Sequence, residues 1–202
     1  MRGLYLVTPD WDDTEKLLAA TRQAIAGGAR LLQYRHKTAS DALRSEQASA
    51  LLALCRPLNV PFIVNDHLDL CERIDADGIH VGGTDASVAE VRARLGHDKI
   101  VGASCYGDLQ LARNAAAAGA SYVAFGGFYL SRVKRYEVTT SPDIIAQALS
   151  ELSLPVCVIG GMTPQNARPL VTKGAHMVAA ISSVYAADDY QAAAGAFADL
   201  FR

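Results

Sequence analysis

The sequence predicts a (β/α)8 barrel formed by a single domain, and three observations support this prediction. Eight short runs rich in apolar, β-branched or aromatic residues recur along the 202 residues. The runs are continuously apolar rather than alternating, which is typical of parallel strands buried on both faces. Helical patterns lie between the runs, and Gly-Ala pairs recur where a helix gives way to a strand. The spacing of about 25 residues per unit is compact but sufficient for this class of barrel.

The predicted strands follow one another from the N-terminus to the C-terminus. They cover residues 4–7, 30–34, 61–64, 78–81, 99–103, 121–125, 155–159 and 176–181. A doubly wound open sheet is the alternative, but it usually has fewer strands, and no G-x-G-x-x-G fingerprint follows the first one. We therefore predict one barrel domain that spans residues 1–202.

Local signals predict where helices begin and end. Ser87 and Glu90 form a capping box pattern at the start of one helix. Ser141 and Thr163 each precede a proline, so each is predicted to cap a helix whose first residue is that proline. Glycines in the left-handed conformation are predicted to end three helices, at Gly28, Gly119 and Gly174.

The composition excludes several classes of protein. Lys and Arg number 19 and Asp and Glu number 21, for a formal charge of −2. This balance argues against a nucleic-acid binder, because a phosphate backbone selects a basic excess. No apolar run approaches a membrane span, and residues 1–7 lack the pattern of a signal peptide, so we expect a cytoplasmic protein. The four cysteines lack zinc or C-x-x-C spacing and are expected to be buried thiols. A homo-oligomer is possible.

Cationic side chains follow two of the predicted strands, at the end where barrel enzymes bind their substrates. Arg35 and Lys37 alternate along an extended segment after the second strand, so both can point to one side. Lys134 comes from the loop after the sixth strand. Three cations that converge on one cleft suit a polyanion such as a diphosphate.

Two carboxylates follow neighbouring strands. Asp66 and Asp85 come after the third and fourth strands, and hard oxygen ligands beside a diphosphate favour Mg²⁺. The alternative is that each residue only caps the next helix.

Glycines and serines predict a phosphate site near the seventh and eighth strands. Gly160 and Gly161 precede a helix start, where backbone N–H groups bind anions, and Ser182 and Ser183 add donors. His80 ends the fourth strand and is expected either to face the pocket or to be a satisfied buried histidine. No nucleophile elbow or catalytic triad is evident.

Eight motifs in register along almost the whole chain resemble the thiamine phosphate synthase family. They are Tyr5-Leu6-Val7-Thr8, Gln33-Tyr34-Arg35-x-Lys37, Val64-Asn65-Asp66, Ala76-Asp77-Gly78-Ile79-His80-Val81-Gly82 with Asp85, Val101-Gly102-Ala103-Ser104, Ser131-x-x-Lys134, Ile159-Gly160-Gly161-Met162 and Ala180-Ile181-Ser182.

The resemblance implies a transferase that joins hydroxymethylpyrimidine diphosphate to hydroxyethylthiazole phosphate and releases diphosphate. It implies that Arg35, Lys37, Asn65 and Lys134 hold the diphosphate, and that Asp66 and Asp85 hold Mg²⁺. Gln33 and Ser104 match positions near the pyrimidine and the diphosphate, and Ser131 lies in the segment that carries Lys134. The positions matched to the thiazole phosphate are Gly161, Ile181 and Ser182. Arg35, Lys37, Ser104 and Lys134 are the residues we expect to act in catalysis.

The chain departs from the family pattern at three positions. Gly127 replaces a frequent proline, Gly83 a common glutamine, and Val133 a hydroxyl-bearing residue. We also expect the segment 126–140, which carries Lys134, to act as a lid.

Two alternative functions remain open. A thiazole tautomerase of related fold would not need the diphosphate cations or the magnesium carboxylates. A non-catalytic protein that binds thiamine precursors is the other alternative.

Overall fold

The computed structural model describes residues 1–82, 86–129 and 139–202. Eight parallel strands close into a barrel in sequence order, and the last strand pairs with the first. The predicted barrel is therefore confirmed, and the alternative of an open sheet is wrong.

The strands and helices alternate along the chain. The strands are β1 (Gly3–Val7), β2 (Ala29–Tyr34), β3 (Phe62–Asn65), β4 (Gly78–Val81), β5 (Ile100–Tyr106), β6 (Tyr122–Phe125), β7 (Val156–Ile159) and β8 (Met177–Ala180). The helices are α1 (Thr14–Ala26), α2 (Asp41–Cys55), α3 (Leu68–Arg73), α4 (Val88–Leu95), α5 (Leu109–Ala117), α6 (Asp143–Glu151), α7 (Pro164–Thr172), α8 (Ser182–Tyr185) and α9 (Tyr190–Ala198).

The core has two layers because successive side chains of a strand point to opposite faces. On β1, Leu4 and Leu6 pack against the surrounding helices, whereas Tyr5 and Val7 point into the barrel. The outer layer is continuous and almost wholly apolar. The inner layer contains tyrosine hydroxyls, so the middle of the barrel needs polar partners.

Most of the local signals are confirmed. Ser87 and Glu90 form the capping box of α4, and Thr163 caps α7. The prediction that Ser141 caps a helix beginning at Pro142 is wrong by one residue. Pro142 has helical backbone angles and is itself the N-cap, while the Ser141 hydroxyl accepts a hydrogen bond from the Asp143 amide. The three glycines predicted at helix ends all have positive φ: Gly28, Gly119 and Gly174.

Three strands differ from the prediction at their carboxyl ends: β3 ends one residue later, at Asn65, and β5 and β8 also differ. β5 continues to Tyr106, because Ser104 and Tyr106 still pair with β6 across an irregularity in register. Ser104 therefore lies within the strand rather than at its end. β8 stops at Ala180, and Ser182 begins the short helix α8. Within the described ranges, the helices are too short or too polar to cross a bilayer.

Candidate active site

A cavity of about 660 Å³ opens at the carboxyl end of the strands. Its wall contains residues from every strand of the barrel or from the loop that follows it, as the fold dictates. Most of the binding residues predicted from the sequence line it: Gln33, Arg35, Asn65, His80, Ser104, Gly161, Ile181 and Ser182. Residues from 33 to 182 along the chain are therefore brought together at one site.

Arg35 reaches the cavity with its guanidinium held by a carboxylate. Its Nη1 atom donates to both oxygens of Asp10, at 3.2 and 3.3 Å. The Arg35 side chain is only 13% exposed, and Asp10 also accepts a hydrogen bond from the Lys37 amide at 2.9 Å. Asp10 thus fixes the guanidinium and the strand end that carries it, a role the sequence analysis missed.

Lys37 lies at the rim rather than in the cavity wall. Its Nζ atom donates to Asp66 Oδ2 at 2.5 Å, and its side chain is half exposed. Arg35 and Lys37 therefore do not form one paired clamp in this structure. Each cation is bound to a different carboxylate, and a polyanionic ligand would have to compete with both.

Asp66 is the described member of the predicted metal pair. Its backbone is left-handed, with φ of 63°, and its Oδ2 atom also accepts from Asn65 Nδ2 at 2.5 Å. The N-cap of α3 is His67, so Asp66 does not cap that helix. The backbone twist and the two donors instead fix the carboxylate beside Asn65, which lines the cavity.

The donor chemistry of Asp66 fits Mg²⁺. Among residues 1–82, 86–129 and 139–202, no three His, Cys, Asp or Glu side chains cluster as a metal cage. Mg²⁺ is usually bound through one or two carboxylates, and substrate phosphates and water complete its shell. A single described carboxylate at the rim of a cavity suited to phosphates is consistent with that mode.

Three predicted site residues, Asp85, Ser131 and Lys134, lie outside the described residues, as do Gly83 and Val133. Most of the predicted lid lies there too. Near the start of that segment, Gly127 has a φ of +81°, which a proline ring cannot adopt. A proline at position 127 would therefore need a different local backbone.

A chain of hydrogen bonds crosses the interior of the barrel, and four of its five members also line the cavity. We call it the interior chain; its members are Gln33, Tyr5, Tyr122, His80 and Ser104. Gln33 Nε2 lies 2.6 Å from the Tyr5 hydroxyl, which lies 2.6 Å from the Tyr122 hydroxyl. His80 continues the chain, with Nδ1 at 2.8 Å from the Tyr122 hydroxyl and Nε2 at 2.8 Å from Ser104 Oγ.

Burial keeps the phenols and thiols of the site protonated. It raises the pKa of Tyr5 and of Tyr122 well above the usual tyrosine value. The four cysteines are buried and unbridged, as expected. Burial likewise raises the pKa of Cys157, the cysteine that lines the cavity. That thiol is therefore a poor nucleophile.

The part of the cavity wall formed by β7, β8 and the segments after them consists of backbone and uncharged side chains. Gly160 and Gly161 have positive φ of 104° and 62°, which allows the loop after β7 to turn sharply into the wall. Asn166 Nδ2 donates to the Gly161 carbonyl at 2.9 Å, and the Ser183 hydroxyl donates to the Met162 carbonyl. The first bond holds the loop after β7 to α7, and the second joins that loop to the segment after β8.

The family model described as thiamine monophosphate synthase matches residues 4–184. The chain belongs to this family. It is 68% identical over 201 residues to a thiamine-phosphate synthase of Janthinobacterium sp. (strain Marseille), covering 100% of this chain and 97% of the relative. A thiamine-phosphate synthase of Nitrosospira multiformis is 45% identical, over 99% of this chain and 86% of the relative.

The solved structure of a thiamine phosphate pyrophosphorylase from Pyrococcus furiosus has a similar backbone, with a TM-score of 0.85 and 27% identity. It covers 98% of this chain and 95% of its own. The predicted function of thiamine phosphate synthesis and the transferase class are thus confirmed. The roles of individual residues stay predictions.

The sequence analysis missed Tyr5, Tyr122 and Asp10 as parts of the site. A signal for the tyrosines was present. Tyr5 lies two residues before Val7 on β1, and Tyr122 lies two residues before Ala124 on β6, so each tyrosine faces the barrel interior with its neighbour. The alternation of side chains along a strand shows which way a side chain faces, but it does not show which residue that side chain contacts across a closed barrel.

Proposed function

We propose that this enzyme joins 4-amino-5-hydroxymethyl-2-methylpyrimidine diphosphate to hydroxyethylthiazole phosphate, releases diphosphate and forms thiamine monophosphate. One observation carries the assignment of roles. Arg35 and Asn65 come from β2 and β3 or the loops after them, Gly161 and Ser182 come from the segments after β7 and β8, and all four line a single cavity. One cavity thus offers a cationic side for the diphosphate, defined by Arg35 and Asn65, and a neutral side for the monoester, defined by Gly161 and Ser182. The two sides adjoin, because Arg35 and Ser182 also line a second, smaller pocket together.

The cationic side binds the pyrimidine diphosphate. Arg35 presents a planar guanidinium that is already oriented by Asp10, and Asn65 adds an amide donor. Lys37 turns from Asp66 to the incoming anion, and Lys134 adds a further cation. Gln33 and His80 lie deeper in the cavity and contact the pyrimidine ring.

Mg²⁺ accompanies the diphosphate in this proposal. Asp66, with Asp85, would hold the ion, and substrate oxygens and water would complete its shell. When bound, the ion supplies positive charge that neutralises the departing diphosphate. The finding that supports it is the fixed carboxylate of Asp66 beside Asn65.

The neutral side binds the thiazole phosphate. The backbone around Gly160 and Gly161, close to the start of α7, and the Ser182 hydroxyl offer uncharged donors to a monoester. Ile181 supplies apolar contact for the thiazole ring. Both reactants are then held in one cavity, so that capture becomes effectively unimolecular.

The chemistry needs neither a base nor a protein nucleophile. The bond between the pyrimidine methylene and the diphosphate oxygen breaks, and the electron-rich pyrimidine supports the positive charge left on carbon. The thiazole nitrogen then attacks with its lone pair, and no proton has to leave. The protein stabilises the departing anion through Arg35, Lys37, Ser104 and Lys134.

We also propose that the enzyme works in the cytoplasm, because its diphosphate and phosphate substrates are too highly charged to cross a bilayer unaided. A homo-oligomer remains a prediction.

Mixing the purified protein with both substrates and Mg²⁺ tests the proposal. We expect thiamine monophosphate and diphosphate to appear together. Change of the thiazole phosphate alone, in the absence of the pyrimidine, would indicate the tautomerase instead. Tight binding of both substrates with no product would indicate a non-catalytic binder.

A further inference from the structure

The direction of the hydrogen bonds in the interior chain follows from how many donors and acceptors each group has. Gln33 Nε2 can only donate, so the Tyr5 oxygen accepts from it. Within the part of the chain that the structure describes, the other partner of the Tyr5 hydroxyl is Tyr122. If Tyr122 donated to Tyr5, the buried Tyr5 proton would lack an acceptor, which is costly. Tyr5 therefore donates to Tyr122.

The same reasoning determines which ring nitrogen of His80 carries the proton. Because the Tyr122 oxygen accepts from Tyr5, its own proton is directed to His80 Nδ1, 2.8 Å away. A ring nitrogen that accepts carries no proton, so His80 is the neutral tautomer with its proton on Nε2. That Nε2–H group donates to Ser104 Oγ. The high pKa of the two buried phenols agrees with this order, because both keep the proton they donate.

Two glycines leave the space that this arrangement needs. A Cβ atom at Gly102 would lie 2.2 Å from the Tyr122 hydroxyl oxygen and 2.1 Å from the ring carbon that bears it. A Cβ atom at Gly82 would lie 2.4 Å from Ser104 Cβ. The Tyr122 and His80 rings also stack, with centroids 5.6 Å apart and planes 25° apart. Tyr122 and Ser104 are therefore held in place by shape as well as by hydrogen bonds.

We propose that Tyr122 is a positioning residue, whose hydroxyl holds His80 as the Nε2–H tautomer and thereby makes Ser104 a hydrogen-bond donor toward the cavity. Ser104 Oγ accepts from His80 and keeps its own proton for a ligand in the cavity it lines. This inference rests on the proposed function, in which that ligand is an acceptor atom of the pyrimidine diphosphate. Tyr122 acts through His80 and Ser104 and does not touch the substrate.

Long-range ¹H–¹⁵N NMR spectra of the ligand-free wild-type protein test the tautomer directly. The protein has five histidines, and the signals that disappear in the His80→Asn variant are those of His80. We expect His80 Nδ1 to have the shift of an unprotonated nitrogen and Nε2 that of a protonated one. The proposal is overturned if Nδ1 carries the proton or if both nitrogens do.

Kinetics test the role of Tyr122. We expect Tyr122→Phe to lower kcat roughly tenfold, with the KM for thiazole phosphate within about twofold of wild type. In the Ser104→Ala background, Tyr122→Phe should have no further effect, because it acts through Ser104. Additive losses in the double variant would contradict the proposal.

Tyr34→Phe is the matched control. Tyr34 is also buried, but its hydroxyl donates to Gln47 Oε1 at 3.0 Å, outside the interior chain. We expect this variant to leave kcat and the His80 nitrogen shifts unchanged. The proposal is overturned if Tyr34→Phe changes the His80 nitrogen shifts as much as Tyr122→Phe does. If wild type forms no coupled product, the proposed function fails, whereas the nitrogen shifts still decide the tautomer.

Discussion

Lys37 Nζ lies 2.5 Å from Asp66 Oδ2, so the cation expected to bind the diphosphate is bound to the carboxylate expected to bind the metal. The same oxygen accepts from Asn65. Three residues assigned to substrate and metal are thus joined by hydrogen bonds. Binding of Mg²⁺ to Asp66 would release Lys37 for the anion, which links the two events.

Lys37→Gln should therefore have opposite effects on metal and substrate. Removal of the competing ammonium should strengthen binding of Mg²⁺ to the substrate-free protein by a few-fold. The loss of a charged contact to the diphosphate should lower kcat/KM by roughly ten- to a hundredfold. Calorimetric titration with Mg²⁺ and steady-state kinetics measure the two effects. Lys173→Gln, which removes the surface partner of Asp143 at 3.0 Å, is the control and should change neither.

Arg35→Lys should raise the KM for the pyrimidine diphosphate roughly tenfold, because an ammonium cannot replace a planar guanidinium held by Asp10. Steady-state kinetics with varied pyrimidine diphosphate measure this. Arg113→Lys disturbs a similar two-contact pair with Glu151 on the surface and should leave the KM unchanged. Equal KM values for Arg35→Lys and wild type would remove Arg35 from the diphosphate site.

Two glycine substitutions should shift stability in opposite directions. A Cβ atom at Gly78 on β4 would lie 2.0 Å from the Ile100 carbonyl oxygen of β5, so Gly78→Ala should lower the free energy of unfolding by about 2–4 kcal/mol. A Cβ atom at Gly195 within α9 would lie 3.7 Å from the Gly27 carbonyl oxygen, an ordinary contact distance. Gly195→Ala should therefore raise the free energy of unfolding by about 0.5–1 kcal/mol. Urea denaturation measures both. A loss of stability in Gly195→Ala would contradict the packing described for that helix.

His176 should make the protein less stable in mild acid. Burial, followed by the N-terminal amine and Arg2, lowers its pKa, and its Nδ1 atom accepts from the Val156 amide at 3.2 Å. The unfolded chain therefore binds a proton more readily, and stability present above about pH 6.5 is lost as the pH falls through that value. When the pH is lowered from about 7.5 to about 5.5, the decrease in Tm should be smaller for His176→Gln than for wild type. Identical losses would show that His176 does not contribute.

The barrel could be predicted from the sequence because its signals are local. Continuous apolar runs indicate strands, and Gly28, Gly119 and Gly174 mark where helices end. The length of β5 could not be predicted in this way, because pairing with β6 extends it past Ser104 to Tyr106. Ser141 was misplaced because the pattern of a hydroxyl before proline does not show which of the two residues is the cap.

The site was predictable only as a set of residues at one end of the barrel. Parallel strands bring their carboxyl ends together, so Gln33, Asn65 and Ser104 were expected near one another. The partners of these residues depend on distances across the barrel that no local pattern records. For this reason the sequence indicated Arg35 but not Asp10, and His80 but not Tyr122.

The central claim is that one cavity both releases diphosphate and captures the pyrimidine methylene carbon. A single-turnover experiment tests this claim most directly. The enzyme is in excess over pyrimidine diphosphate, and thiazole phosphate and Mg²⁺ are present. Rapid quenching should show diphosphate and thiamine monophosphate appearing at the same rate and in equal amounts. Release of diphosphate without an equal amount of the coupled product would contradict it.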